Sequence, residues 1–124
     1  MKNIIISSLA TSLLLVGCGA SHPPPTQQMA DTQAATRSAT ELGAQKEPSA
    51  QLHLKLAEEQ MGLAKNAMKK EDNELAGRLL VRAKADAELA VALMREDAAK
   101  HTAVAAANQL ASQQSTNENQ GATP

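Results

Sequence analysis

The chain has 124 residues, among them 25 Ala and no Phe, Trp or Tyr, and 12 Lys plus Arg against 13 Asp plus Glu give a formal net charge of −1. One domain is the ceiling at this length. A near-neutral balance without aromatic rings argues against a nucleic-acid reader, which needs a basic patch and usually stacking side chains, and against a carbohydrate or aromatic-ligand pocket.

Residues 1–17 read as a signal peptide. Met1-Lys2-Asn3 is a short positive start, and residues 4–16 form a largely apolar run interrupted by Ser7, Ser8, Thr11 and Ser12. As helix this run spans about 20 Å, short of the ~30 Å hydrocarbon core, so processing fits better than a permanent membrane span. The run ends in Leu15-Val16-Gly17-Cys18, which resembles the lipobox of bacterial lipoproteins. The resemblance implies that Leu15, Val16 and Gly17 are read by the signal peptidase, that Cys18 carries diacylglycerol on its thiol, and that its freed amine is acylated. Gly19 stands where an Asp commonly holds Gram-negative lipoproteins in the inner membrane, so sorting to the outer membrane, facing the periplasm, is implied. Cys18 is the only cysteine, which excludes an intramolecular disulfide and leaves a redox thiol without a resolving partner.

Residues 18–27 follow as a tether. Pro23-Pro24-Pro25 favours polyproline II, a semi-rigid spacer beside an acylated Cys18, with a proline-rich docking ligand as the alternative. The aliphatic content is low once all three Ile leave with the signal, but it is strongly patterned, and an Ala-rich helical domain is expected over residues 28–110. Its first helix, residues 28–46, is weak: Met29, Ala35, Ala39 and Leu42 give a thin stripe, and Thr32, Thr36 and Thr40 lower propensity. Pro48 marks the first turn of a second helix over residues 49–70. There Ala50, Leu54, Ala57, Met61, Ala64 and Met68 recur with 4-3 spacing, flanked by Leu56 and Leu63. A third helix starts at Asn73 and extends to Leu110, with its seam at Ala76, Leu80, Ala83, Ala87, Ala90 and Met94. Residues 111–124 are Ser/Gln/Asn/Thr-rich and read as a disordered polar tail.

The joint between the second and third helices is well marked. Lys65, Lys69 and Lys70 crowd a helix end, while Glu71, Asp72 and Glu74 crowd a helix start with Asp72 placed to cap it. Glu74 with Arg78 and Glu96 with Lys100 add i,i+4 pairs. Two seams of equal period joined by a short turn predict an all-α fold: an antiparallel αα-hairpin with a long second arm, plus the weaker N-terminal helix. At Leu63, Ala64, Ala76, Leu80 and Ala83 the hairpin is similar to one tetratricopeptide unit, although Glu88 stands where that motif closes with proline.

A broader resemblance covers residues 22–104. The order is an acylated cysteine, a Pro-rich spacer, an Ala-rich helix, a Pro break, then L-x-x-A-x-x-x-x-A around Ala64, E-D-N-E-L-A at Glu71 to Ala76 and D-A-E-L-A at Asp86 to Ala90. This resembles the alanine-rich lipoproteins of the family called domain of unknown function 4398. The resemblance implies a Gram-negative envelope protein and brings no established catalytic residues.

The residues offer little chemistry. His22, His53 and His101 are far apart, no two at helical metal-ligand spacing, so solvated helix-face histidines are expected and no metal site. There is no H-E-x-x-H, G-x-S-x-G or Gly-rich phosphate loop. Adjacent Glu58 and Glu59 point about 100° apart on a helix, unlike a facing glycosidase pair. Met61, Met68 and Met94 could serve Cu(I), but their seam spacing makes them core. The expectation is no enzyme and no cofactor, but an outer-membrane-anchored helical scaffold or adaptor. Its partners are the membrane through Cys18 and either further copies of the chain or another envelope protein, because Leu75, Leu79, Leu89 and Leu93 lie beside the seam where one hairpin cannot cover them all. A passive coiled-coil spacer is the alternative, ahead of a metal or small-ligand binder.

Overall fold

A computed structural model describes residues 22–121. The signal segment, Cys18 and its neighbours Leu15, Val16, Gly17 and Gly19 lie outside the described residues. Three helices follow in order: α1 (Thr26–Glu41), α2 (Pro48–Lys69) and α3 (Asn73–Gly121). The described residues contain no strand, as the all-α expectation requires. α2 and α3 form the hairpin, and α1 packs against both, more extensively on α3.

The helix ends follow local rules. α1 starts at Thr26, directly after the prolines, and Pro24 and Pro25 carbonyls accept from Thr26 and Met29 N–H at 2.8 and 3.0 Å. It stops at Glu41, five residues short of the expected end, because Gly43 takes a left-handed φ of 88°. Gly43 N–H then donates to Thr40 O and Ala44 N–H to Ala39 O, both at 3.0 Å, a Schellman closure sealed by the buried pair Ala39 and Ala44. A Cβ at Gly43 would meet no atom within 4 Å, so Gly43→Ala exposes backbone strain alone. A loss of about 1–2 kcal/mol is expected in urea melts of the variant.

α2 opens on Glu47, whose carboxylate accepts from Ala50 N–H and from the Ser49 hydroxyl, with Pro48 in the first turn. The Ala50 N–H first, then Ser49, hold the Glu47 carboxyl below its usual value near 4.5. A carboxylate favoured by folding stabilises above its ordinary value, and that stabilisation fades as acid protonates it through the lowered value. α2 closes with the same Schellman pattern, Glu71 N–H to Met68 O and Asp72 N–H to Ala67 O at 3.0 Å, but here the left-handed residue is Glu71, at φ 62°. Asp72 then caps α3, accepting from Leu75 N–H at 3.1 Å, as its position in the sequence indicates.

The core is built almost wholly of alanine. Ala50, Ala57, Ala64, Ala76, Ala83, Ala87 and Ala90 are fully buried, and Leu54 and Leu80 are the large seam residues buried with them. Met61, Met68 and Met94 are partly buried and pack against the two core clusters. Alanine at the contact positions lets helices approach toward the short end of the usual 8–10 Å interaxial range. The flanking Leu63 is exposed.

The interior stripe of α1 corrects the expected one. Met29, Thr32, Thr36 and Ala39 are buried, whereas Leu42 is 44 % exposed and Ala35 only partly covered. Each threonine hydroxyl donates to the carbonyl one turn back: Thr32 to Gln28 O at 2.7 Å, Thr36 to Thr32 O at 2.9 Å and Thr40 to Thr36 O at 3.0 Å. With its hydroxyl satisfied inside its own helix, a threonine presents a methyl group to the core. Thr32 also reaches the Leu80 carbonyl on α3 at 3.3 Å, and Gln28 Oε1 sits where a Cβ on Gly77 would meet it at 3.3 Å. Close approach of α1 to α3 depends on these small groups.

α3 runs to Gly121, well past Leu110 where the sequence places its end. Polar side chains beyond Leu110 bond back onto the helix: Ser112 donates to Gln109 O, and Ser115 and Thr116 to Ser112 O, each at 2.9 Å.

Candidate functional site

Two features stand out among the described residues. The first is a polar cluster inside the hairpin. His53 on α2 lies with Nδ1 2.9 Å from Asp86 Oδ1 on α3, and Gln60 Nε2 donates to Asp86 Oδ2 at 2.7 Å. The side chains of His53 and Asp86 are only 27 % and 21 % exposed. The expected solvated face is therefore wrong for His53, because α3 brings a carboxylate to it across the helix pair. One turn plus three residues separates His53 from Gln60, so both reach the same aspartate, and both bonds fix the register of α2 against α3. His101 does sit on an exposed face, 3.5 Å from Asp97 one turn back. No group of three or more His, Cys, Asp or Glu among the described residues could hold a metal ion. The concavities are open grooves, such as the one lined by Gln45, Pro48, Gln51, Leu52, Lys55 and Glu58.

The second feature is the far half of α3. Every residue in 98–119 is exposed, on all sides of the helix. Val104 and Leu110 are 60 % and 61 % exposed there. The arm leaves the body where the α1–α2 turn ends: Lys46, Glu47 and Pro48 share a groove with Met94 and Asp97. At its base Lys100 pairs with Glu96 at 2.7 Å, and that carboxylate, by hydrogen bond and then by charge, raises the ammonium above its usual value. Beyond His101 the only ionisable side chain through residue 119 is Glu118.

The four leucines expected to need a partner divide between the helices. Leu79 packs on the core cluster of Met29, Ala64, Ala76 and Leu80, and Leu93 on that of Ala39, Ala44, Leu54 and Ala90, so α1 helps complete the covering of both. Leu75 and Leu89 remain 37 % and 42 % exposed. Glu74 and Arg78 pair as expected, and the structure adds Lys55 with Glu59 and Lys84 with Glu88. No helix among the described residues is long and apolar enough to cross a membrane.

Neither a comparison with curated proteins nor one with solved structures finds a match. A comparison with protein families does: the domain of unknown function DUF4398 matches residues 27–107, from the first turn of α1 to the exposed arm and across both Pro48 and the Asp72-capped turn. On that match, spanning more than half its length, the chain belongs to the DUF4398 family.

Proposed function

We propose that the chain is a lipoprotein, held by acyl chains on Cys18 at the outer membrane of a Gram-negative envelope, whose helices act as a scaffold or adaptor in the periplasm. The observation that carries the scaffold half is the arm of α3. A helix exposed on every side over residues 98–119 has surface to offer, and none of the described residues covers it. The anchor half is supported by Leu15-Val16-Gly17-Cys18 behind a charged start and an apolar run, with three prolines between that cysteine and α1. In this reading a lipid fixes one end, the prolines hold the body off the surface, and the hairpin projects the arm. The role is recognition rather than catalysis.

A photo-crosslinking residue placed at Val104 or Leu110 in intact cells tests this. Discrete protein adducts are expected from both positions and none from Lys69 at the hairpin tip. Adducts absent from both arm positions would leave a passive spacer as the better account.

A further inference from the structure

The outer face of α3 carries a second 4-3 stripe, directly opposite the seam that packs on α1 and α2. It keeps alternating three- and four-residue steps from Leu75 to Asn117, and every position on it is exposed. Alanine returns at every seventh position, at 85, 92, 99 and 106. The interleaved positions hold Leu89, Glu96, Ala103 and Leu110. A helix covered on one face in its first half, uncovered in its second, and carrying a 4-3 stripe along both has a place for one more helix.

We infer that this face binds a second copy of the chain, α3 against α3 in antiparallel sense, with Ala92 of one copy opposite Ala103 of the other. That register is selected by the residues themselves. It sets Leu89 against Ala106 and Ala85 against Leu110, so these two leucines each meet an alanine of the other copy, the large-to-small match a close-packed seam needs. It also lays the two helices flush, because its centre falls beside Asp97, the midpoint of α3. Charge agrees with it. Glu118, the only ionisable side chain between His101 and residue 119, lands beside Arg78 of the second copy. Glu96 falls opposite Ala99 and next to Lys100 of the second copy, and the two arginines at 78 and 82 face Asn117 and Gln113. The arm of each copy is thereby covered by the hairpin half of the other.

Area supports a stable contact. Leu75 to Asn117 is about 65 Å of helix at 1.5 Å per residue, and a strip roughly 10 Å wide gives about 650 Å² on each copy. The pair together buries roughly 1,300 Å², above the ~1,000 Å² that a specific interface needs. Covering the arm also gives it tertiary packing, from which most helical stability in proteins comes. The inference rests on the scaffold reading for the use of this surface and names the partner, while its test does not involve the anchor.

The test uses the full-length chain in mild detergent with Cys18→Ser, into which Ala92→Cys and Ala103→Cys are placed separately. Mixing the two and oxidising gently is expected to give mainly the mixed 92–103 disulfide. Two copies of residue 92 would sit about 16 Å apart along the antiparallel pair, far beyond the ~7 Å between Cα atoms that a disulfide spans. A majority of 92–92 and 103–103 products would overturn the register in favour of a parallel pair. Mixed product no greater than that formed with Lys69→Cys in place of either variant would overturn the pairing itself. In sedimentation velocity the otherwise unchanged Cys18→Ser chain is expected to dimerise, and Ala103→Glu to be monomeric at the same helicity. A monomer before the change, or a dimer that survives it, contradicts the inference. Those failures, alongside arm adducts to some other envelope protein, would remove the second copy and leave the scaffold.

Discussion

Leu80→Ala is expected to lower the stability of the helical domain by about 3 kcal/mol, within the ~2–5 kcal/mol range for removing a fully buried leucine. The expectation follows from how little else the core contains. Leu80 is completely buried, its neighbours Ala64 and Ala76 are already minimal, and its carbonyl receives the Thr32 hydroxyl from α1. The alanine neighbours have no side-chain length with which to fill the space, and the flexible Met29, Met61 and Met68 of the same cluster fill it only in part, which keeps the cost inside that range. Thermal unfolding followed by circular dichroism should show a melting temperature lowered by roughly 10–20 °C for a packed body of this size. Val104→Ala, on the arm, should leave the melting temperature unchanged. Equal shifts for the two variants would mean that the stability does not reside in the packing of α1 and α2 on α3.

The hairpin was legible because its signals are local and redundant. Two 4-3 seams, Pro48 at the start of α2, and a lysine-rich end facing an Asp72-capped start all point to one arrangement, and α2 and α3 meet along those seams. The interior of α1 was harder to read. Met29, Thr32, Thr36 and Ala39 keep the same 3-4 spacing, but threonine ranks as a poor helix former, and propensity says nothing about a hydroxyl that turns back onto its own helix to leave a methyl group for the core. Gly43 similarly ends α1 through a conformation that an Ala-rich pattern running on to Lys46 does not reveal. His53 could not be recognised as half-buried from its own neighbours, since its partner Asp86 lies 33 residues away on another helix. What links them is register: once Leu54 and Ala57 face the seam, His53 and Gln60 fall together on its flank.

The arm of α3 shows the limit of sequence patterning from the other side. Past Leu110 the composition is that of a tail, yet helix continues there, with serine and threonine side chains turned back onto the preceding turn. No core contact holds it. The missing aromatic residues and the arm are two aspects of one design, in which thin, alanine-faced helices present long surfaces rather than deep pockets.

Cys18→Ala carries the other large expected effect. A single acyl chain holds a protein to a bilayer only marginally, each further chain adds about 0.8 kcal/mol per buried CH2, and a triacylated cysteine is in effect permanently bound. None of the described helices could substitute for that anchor, since none is long and apolar enough to cross a membrane. The apolar run in residues 4–16 spans only about 20 Å as helix. If the proposed anchor is right, membrane attachment should therefore depend on one sulfur atom, that of Cys18. The direct measurement is density separation of membranes from cells fed a labelled palmitate, comparing the unaltered chain with Cys18→Ala. The unaltered chain is expected in the outer-membrane fraction carrying label, and the variant is expected to lose both the label and that fraction. Unlabelled protein, or a variant that fractionates as before, would contradict a lipid-held helical scaffold at its foundation.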